Sequence, residues 1–522
     1  MFFRLTRFVS LTAIAFAVSL PVFAAGTAKH FVLVVWDGMR PDFVTPELTP
    51  TLWQLREQGV WFANHHSVFP TSTEVNGAVL ATGCFPQRNG VLANREYRRE
   101  IDPLKSYETQ ALQPVRRGDA VTGGKYLRVP TLAELVQKHG GATAVAGSKA
   151  VAFLHDRKER AEDSPDPVWF ADGALPQSRF AELTNRFGAF PAAVVPNSPR
   201  DTWTTRCLTE AFWERGVPRY SVLWLSEPDH SQHQRGVGST NALAALRSSD
   251  NRLATVLQEL ERRSVRDETD IVVVSDHGFS TIGEMASSVK ALQAAGLNAR
   301  TNLDQPPVTG DVVVVGNSGT VLFYVTGGQR AVIKRTVTTL QRQPNAGVIF
   351  SRLKLPGTFP LAEARLDSPA APDVVMAVGW TAKPDDADGH PRVHIRSDGY
   401  TQANRGNGTH TSLSPLDLHN TAVACGPDFR RGLTNALPSG NVDIVPTLLW
   451  LMNIKSPEPL DGRVLSETLS VDGPRVREPK SVRREAKADL PDGVWQQHLK
   501  FTELNGVCYL DEGNGGWSPK SK

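Results

Sequence analysis

Three aspartates in this chain each follow a short apolar run almost directly. Asp37 ends the run 31–36, Asp229 comes four residues after residue 225, and Asp276 lies just past the run 271–274. Two of them carry histidine partners: Asp229 is followed by His233, and Asp276 by His277. A single aspartate after a strand ordinarily caps the next helix. Carboxylate oxygens paired with imidazole nitrogens are instead the usual hydrolytic zinc ligands outside cysteine-rich sites. A fourth element, Pro70-Thr71-Ser72-Thr73-Glu74, lies before a short apolar helix running to about residue 82. Thr73 stands where the helix N-cap is expected, a role worth about 1 kcal/mol. The same hydroxyl could act as a nucleophile, because a helix N-terminus and a metal both stabilise its alkoxide.

Such residues need a frame that brings several strand ends together. Runs rich in Val, Ile and Leu at 31–36, 142–146, 220–225, 271–274 and 421–424 read as buried parallel strands. Amphipathic helical stretches at 50–58, 131–139, 241–262 and 442–451 alternate with them. This alternation predicts an α/β fold, a mostly parallel sheet with helices on both faces. In open sheets of that kind the carboxyl ends of the strands form the ligand crevice. The stretch 297–400 is richer in Pro, Gly and Asp, with strand-like runs at 311–315, 320–325 and 373–378 and a helix at 330–342. It reads as a smaller α+β insertion over the active face, dividing the catalytic core into 25–296 and 401–470. The extension 471–522 begins with a charged stretch at 475–487. It ends in a hairpin signalled by Asn505-Gly506 between the extended runs 496–502 and 507–510.

Composition bounds the rest. The 522 residues carry a net charge of +3, with 40 % hydrophobic and 21 % charged residues, which excludes a mainly disordered chain. So small a charge gives no electrostatic footprint for a nucleic-acid polymer or an anionic membrane surface. Arg4 and Arg7, the apolar run 8–22 and Val22-Phe23-Ala24 read as a signal peptide, 1–24, cleaved after Ala24. Its apolar run is shorter than the ~20 residues that a membrane span needs, and no later run reaches that length. The expectation is a periplasmic or secreted protein without a membrane span after cleavage. Cys84, Cys207, Cys425 and Cys508 allow three disulfide pairings, among which sequence does not choose, and free thiols are equally open. Nothing in the sequence sets the oligomeric state.

The blocks also occur in a telling order. Asp37-Gly38-Met39-Arg40-Pro41-Asp42, Pro70-Thr71-Ser72-Thr73, Thr82-Gly83 and Asn89-Gly90 come first. Glu227-Pro228-Asp229 with His233, Ser275-Asp276-His277-Gly278-Phe279 and Gly408-Thr409-His410 follow, then Asp443-Ile444-Val445-Pro446-Thr447 and Asp461-Gly462-Arg463. The set resembles the alkaline phosphatase superfamily, and within it the type I phosphodiesterase/nucleotide pyrophosphatase family, over about 31–469.

This resemblance implies an alkaline-phosphatase-like fold, two zinc ions and hydrolysis of phosphoric diesters or nucleotide pyrophosphates through a phosphothreonine. One ion would be held by Asp37, Thr73, Asp276 and His277, the other by Asp229, His233 and His410. Metals in such pairs stand about 4 Å apart and suit a bridging phosphoryl group. Asn94 matches an asparagine that donates to a phosphate oxygen. The loop around His410 departs from the family pattern, since Thr411 stands where a glycine is usual, and His419 is near enough to compete. The Gly-rich loop favours His410. The partner implied is a small phosphate ester. A phosphomonoesterase, a phosphonate hydrolase and an inactive zinc-stabilised binding protein are the competing readings.

Two residues bear on ester class. Glu74 follows the nucleophile where the family carries an aromatic or apolar residue, and reads as a helix first-turn carboxylate or a group facing substrate. Lys149, just past the run 142–146, reads as a solvated loop lysine or a phosphate contact. A monoester carries one more negative charge than a diester and needs an extra cation. The expectation is diester preference, with Lys149→Ala costing diester turnover little. His65, His66, His155 and His230 read as loop or packing residues.

Overall fold

The strand His30–Trp36 is buried along nearly its whole length, and its alternate side chains enter two different cores. Leu33 and Val35 share one core with Val75 and Val79 of the helix Thr73–Thr82 and with Leu132, Leu135 and Val136 of the helix Leu132–Lys138. Val32, Val34 and Trp36 share the other with Leu52 and Leu55 of the helix Pro50–Gln58 and with Leu246, Leu253 and Leu260 of the helix Thr240–Arg262. A strand covered on both faces is apolar at every position, which is why these runs show no alternation. The computed structural model describes residues 26–171, 173–398 and 404–520. Residues 1–24, read above as a signal peptide, lie outside the described residues.

The large sheet has nine strands in the order Leu433–Asn435, Val60–Phe62, Ala422–Cys425, Thr269–Val274, His30–Trp36, Tyr220–Leu225, Thr143–Gly147, Val168–Phe170, Gly173–Leu175. From Thr269–Val274 through Val168–Phe170 neighbouring strands are parallel. Ala422–Cys425, expected to be parallel, runs antiparallel to Thr269–Val274. After Val274 the chain leaves the sheet at its carboxyl end, builds a second sheet and returns from that same side, so no crossover turns the strand around. The fold is therefore mixed α/β. The helices expected at 131–139 and 241–262 run Leu132–Lys138 and Thr240–Arg262, each with a capped start. Thr131 and Glu134 form a reciprocal capping box, and Ser239 Oγ accepts from Ala242 N.

The second sheet has six strands, ordered Ala299–Arg300, Val312–Asn317, Thr320–Val325, Val374–Val378, Ala346–Ser351, Phe359–Pro360. Ile333, Val337 and Leu340 of the helix Arg330–Leu340 pack into its core. The C-terminal strands Lys480–Asp489, Gly493–Leu504 and Val507–Pro519 form a three-stranded antiparallel sheet. Asn505 and Gly506 both take positive φ, the tight hairpin geometry their sequence signals. Lys480–Asp489 is a mostly exposed edge strand, so its charges hide its strand character. Trp495 Nε1 donates to Gly357 O at 2.9 Å, and Tyr509 donates to Asp443 Oδ2 at 2.8 Å, so this sheet touches both larger ones. All four cysteines are free thiols. Among the described residues no helix is long and apolar enough to cross a membrane.

Candidate active site

The aspartates converge because three parallel strands end at one level. Trp36 pairs with Leu225, and Val35 with Val274. Asp37 follows the first strand, and Asp276 lies just past Thr269–Val274. Asp229 opens the helix Asp229–Arg235, and His233 stands one turn on, on the same helix face, with Nε2 3.2 Å from Asp229 Oδ1. His277 Nε2 lies 3.3 Å from Asp276 Oδ2, 3.6 Å from Asp37 Oδ1 and 4.0 Å from Asp229 Oδ1. His410 arrives on Gly408–Thr409, which pairs with Ser280 and Thr281. Its Nε2 is 3.1 Å from His233 Nε2 and 3.5 Å from Asp229 Oδ1.

Each histidine is oriented by a backbone carbonyl. Nδ1 of His233 donates to Gly408 O at 3.0 Å, Nδ1 of His277 to Gly278 O at 2.9 Å, and Nδ1 of His410 to Thr71 O at 2.8 Å. A carbonyl only accepts, so Nδ1 of each ring carries a proton, and Nε2 is the atom turned toward the cluster. The carboxylates are arranged alike. Asp276 Oδ1 accepts from Gly38 N and His277 N, both at 3.0 Å. Oδ1 of Asp37, Oδ1 of Asp229 and Oδ2 of Asp276 are buried with no hydrogen-bond partner among the described residues. Three bare carboxylate oxygens facing one another repel unless cations lie between them. The donor set fits divalent ions with N/O ligands. Two groups have ligand atoms within 4.8 Å of one another, Asp229/His233/His410 and Asp37/Asp229/His277.

Thr73 is not the N-cap. Asn76 N bonds Ser72 O at 2.9 Å, closing the first turn, so Ser72 caps and Thr73 is the first helical residue. Ser72 makes no side-chain cap bond, so the first amides of this helix keep their field at the site. Thr73 Oγ1 lies 3.2 Å from His277 Nε2. Asn94 Oδ1 accepts from Glu74 N at 3.1 Å, which leaves its Nδ2 as the uncommitted donor. Glu74 is buried beside Thr73. Burial pushes its carboxyl up to about 8, with Lys149 opposing the shift.

Lys149 is not a solvated loop lysine but is engaged by two carboxylates. Its Nζ lies 2.9 Å from Asp37 Oδ2 and 2.8 Å from Asp229 Oδ2. Burial pulls the ammonium down, but Asp229 and Asp37 outweigh it and hold it well above the ordinary lysine value. Burial raises Asp229 while Lys149 brings it well below the carboxylate range; burial and Asp276 leave Asp37 well above it. Sequence reasoning missed Trp224, whose Nε1 donates to Asp37 Oδ2 at 2.9 Å. The signal was available, since a tryptophan at the end of a buried strand needs a partner for its N–H.

Thr411 explains the departure after His410. Its φ is +78°, the left-handed backbone that glycine usually supplies. Gly319 N donates to Thr411 Oγ1 at 2.7 Å, and that hydroxyl donates in turn to Asn317 O, so two bonds hold a threonine there. His419 is not in this cluster; its ring packs against His66, centroids 4.4 Å apart. His65 bonds Ser439 Oγ and Asn441 Oδ1, and His155 packs edge-on to Trp224.

Residues 31–412 match the type I phosphodiesterase / nucleotide pyrophosphatase family, and the chain belongs to it. Human ectonucleotide pyrophosphatase/phosphodiesterase family member 5 is 20 % identical over 429 residues, covering 82 % of this chain and 75 % of the relative. Venom phosphodiesterase CdcPDE of Crotalus durissus collilineatus is 22 % identical over 256 residues, 48 % of this chain and 26 % of the relative. The chain thus spans about a quarter of that relative's length. The solved murine ectonucleotide pyrophosphatase / phosphodiesterase 5 shares the fold, with a TM-score of 0.58 at 17 % identity, covering 85 % of this chain and 100 % of that one. An inactive variant of the murine protein has also been solved in complex with AMP.

Proposed function

We propose that this chain hydrolyses phosphoric diesters or nucleotide pyrophosphates with Thr73 as nucleophile, as a periplasmic or secreted enzyme. The observation that carries the reading is Thr73 Oγ1, at a helix N-terminus and 3.2 Å from His277 Nε2, beside a buried set of carboxylate oxygens without hydrogen-bond partners. Zinc ions fit the donors, one held by Asp37, Thr73, Asp276 and His277, the other by Asp229, His233 and His410. When bound, such ions favour the ionised hydroxyl and neutralise phosphoryl charge.

The chain's own groups supply the rest. The first amides of Thr73–Thr82 lower the cost of negative charge on Oγ1. As the Thr73 Oγ1–phosphorus bond forms, the bond to the leaving oxygen breaks, and the proton given up by Oγ1 ends on the departing alcohol. Water then attacks the phosphothreonine, which still carries the second ester; the Oγ1–phosphorus bond breaks, a water proton returns to Oγ1, and a phosphomonoester leaves. Asn94 Nδ2 donates to a non-bridging oxygen throughout. Lys149 is committed to two carboxylates, which leaves no spare cation of its own for the extra charge of a monoester, so diesters are the preferred class.

The test compares bis(p-nitrophenyl) phosphate with p-nitrophenyl phosphate on the purified protein, followed by a screen of nucleotide and glycerol diesters. Higher kcat/KM for the diester supports the reading. Preference for the monoester would make the protein a phosphomonoesterase, and no turnover of either by a zinc-loaded sample would make it a binding protein.

A further inference from the structure

His66, His419 and Asp511 come from three distant parts of the chain, and their ligand atoms lie within 4.8 Å of one another. His66 Nε2 is 3.0 Å from Asp511 Oδ1. Both residues are oriented from behind, as ligands are at metal centres. His66 Nδ1 donates to Ser439 O at 2.9 Å, and Thr502 Oγ1 donates to Asp511 Oδ2 at 3.0 Å.

Backbone geometry also points at this spot. In the pairing of Gly493–Leu504 with Val507–Pro519, Lys500 faces Glu512 and Phe501 faces Leu510. Asp511 is therefore the extra residue of a β-bulge. A bulge re-aims its side chain, here from the C-terminal sheet onto the core segment around His66. The His419 ring packs against that of His66, with centroids 4.4 Å apart. Lys500, the nearby cation, opposes an ion here; Asp511 favours one.

We propose that His66, His419 and Asp511 form a third metal site, taking a divalent first-row transition ion with zinc foremost, separate from the active site. Two imidazoles and one carboxylate suit tetrahedral zinc, with water in the fourth position. The ion would fasten the C-terminal sheet to the segment that leads into the nucleophile loop, since Ser67, next to His66, donates its N–H to Leu418 O at 2.7 Å. The alternative occupant of the same geometry is a proton, which makes His66 and Asp511 a simple ion pair.

Anomalous diffraction at the zinc edge separates the two. Crystals of the wild-type protein grown in saturating zinc should show a peak bonded to all three side chains. His419→Gln and Asp511→Asn should each lose that peak and one zinc per chain by elemental analysis, while peaks at the active-site cluster persist. A wild-type map with no density for an ion between these residues overturns the proposal, as does an unchanged zinc count in either folded variant. The peak is read at its own position, so its presence or absence does not depend on the active-site reading.

Discussion

His233 Nε2 and His410 Nε2 lie 3.1 Å apart, each ring held through Nδ1 to a backbone carbonyl, with Asp229 Oδ1 beside both. That convergence suits a bound cation. Chelation should therefore abolish turnover and added zinc restore it. His410→Ala should lower the zinc content by one ion per chain and kcat/KM at least about 100-fold. Metal analysis alongside the diester assay checks both, and full activity in a verified metal-free sample would sink the idea.

Thr73→Ala should lose nearly all turnover while the fold and most of the metal remain. Thr73→Ser should recover part of it, because a primary hydroxyl can replace a secondary one as nucleophile. Rapid quenching with a slow diester should trap on Thr73 the phosphoryl group with its second ester still attached, read by mass spectrometry of the peptide. Normal turnover in Thr73→Ala would show that some other group attacks phosphorus.

Asn94→Ala should lower kcat/KM roughly 10- to 1000-fold, the cost of one preorganised donor to developing charge. The loss should fall mainly on kcat, since the bond strengthens in the transition state. Steady-state kinetics on one diester decide this; an equal loss confined to KM would make Asn94 a ground-state binding group.

Lys149→Ala should damage diester turnover, contrary to what its place in the sequence suggests. Its Nζ engages Asp37 Oδ2 and Asp229 Oδ2 and leaves the Oδ1 atom of each carboxylate bare toward the cluster. Loss of such an outer partner typically costs about 10- to 100-fold in metal affinity or activity. Zinc titration of the variant measures it, and wild-type affinity with wild-type kcat would return Lys149 to the role of a bystander.

Asp270, at the far end of the strand that leads to Asp276, should make stability fall as pH rises. Burial and the neighbouring Asp428 push its carboxyl up to about 8. The unfolded chain releases that proton near pH 4. Between those values the folded state holds more protons, so this group's contribution to stability drops with increasing pH. Asp270→Asn retains the acceptor for Asp428 N, 3.2 Å away. It should raise stability by about 1–2 kcal/mol at pH 8 and little at pH 4. Thermal melts at the two pH values test it, and an equal gain at both would contradict the linkage.

What could be read along the chain was what depends on neighbours in sequence. Continuous apolar runs mark strands buried on both faces, so Asp37, Asp229 and Asp276 announce themselves at strand ends. His233 and His277 follow from spacing within the same segments. The helices at 131–139 and 241–262 show as amphipathic stretches because their periodicity is local. What the chain alone left open depends on partners hundreds of residues away. His410 and His419 are nine positions apart, and only the pairing of Gly408–Thr409 with Ser280 and Thr281 carries the first to the cluster. His419 ends the helix Pro415–Leu418 and meets His66 instead. Lys149 is an ordinary strand-end lysine until two carboxylates close on it. The direction of Ala422–Cys425 was set by the side from which the chain re-enters the sheet. Periodicity records which residues are buried; which lone pairs and charges face each other is decided by strand pairing and the path of the loops.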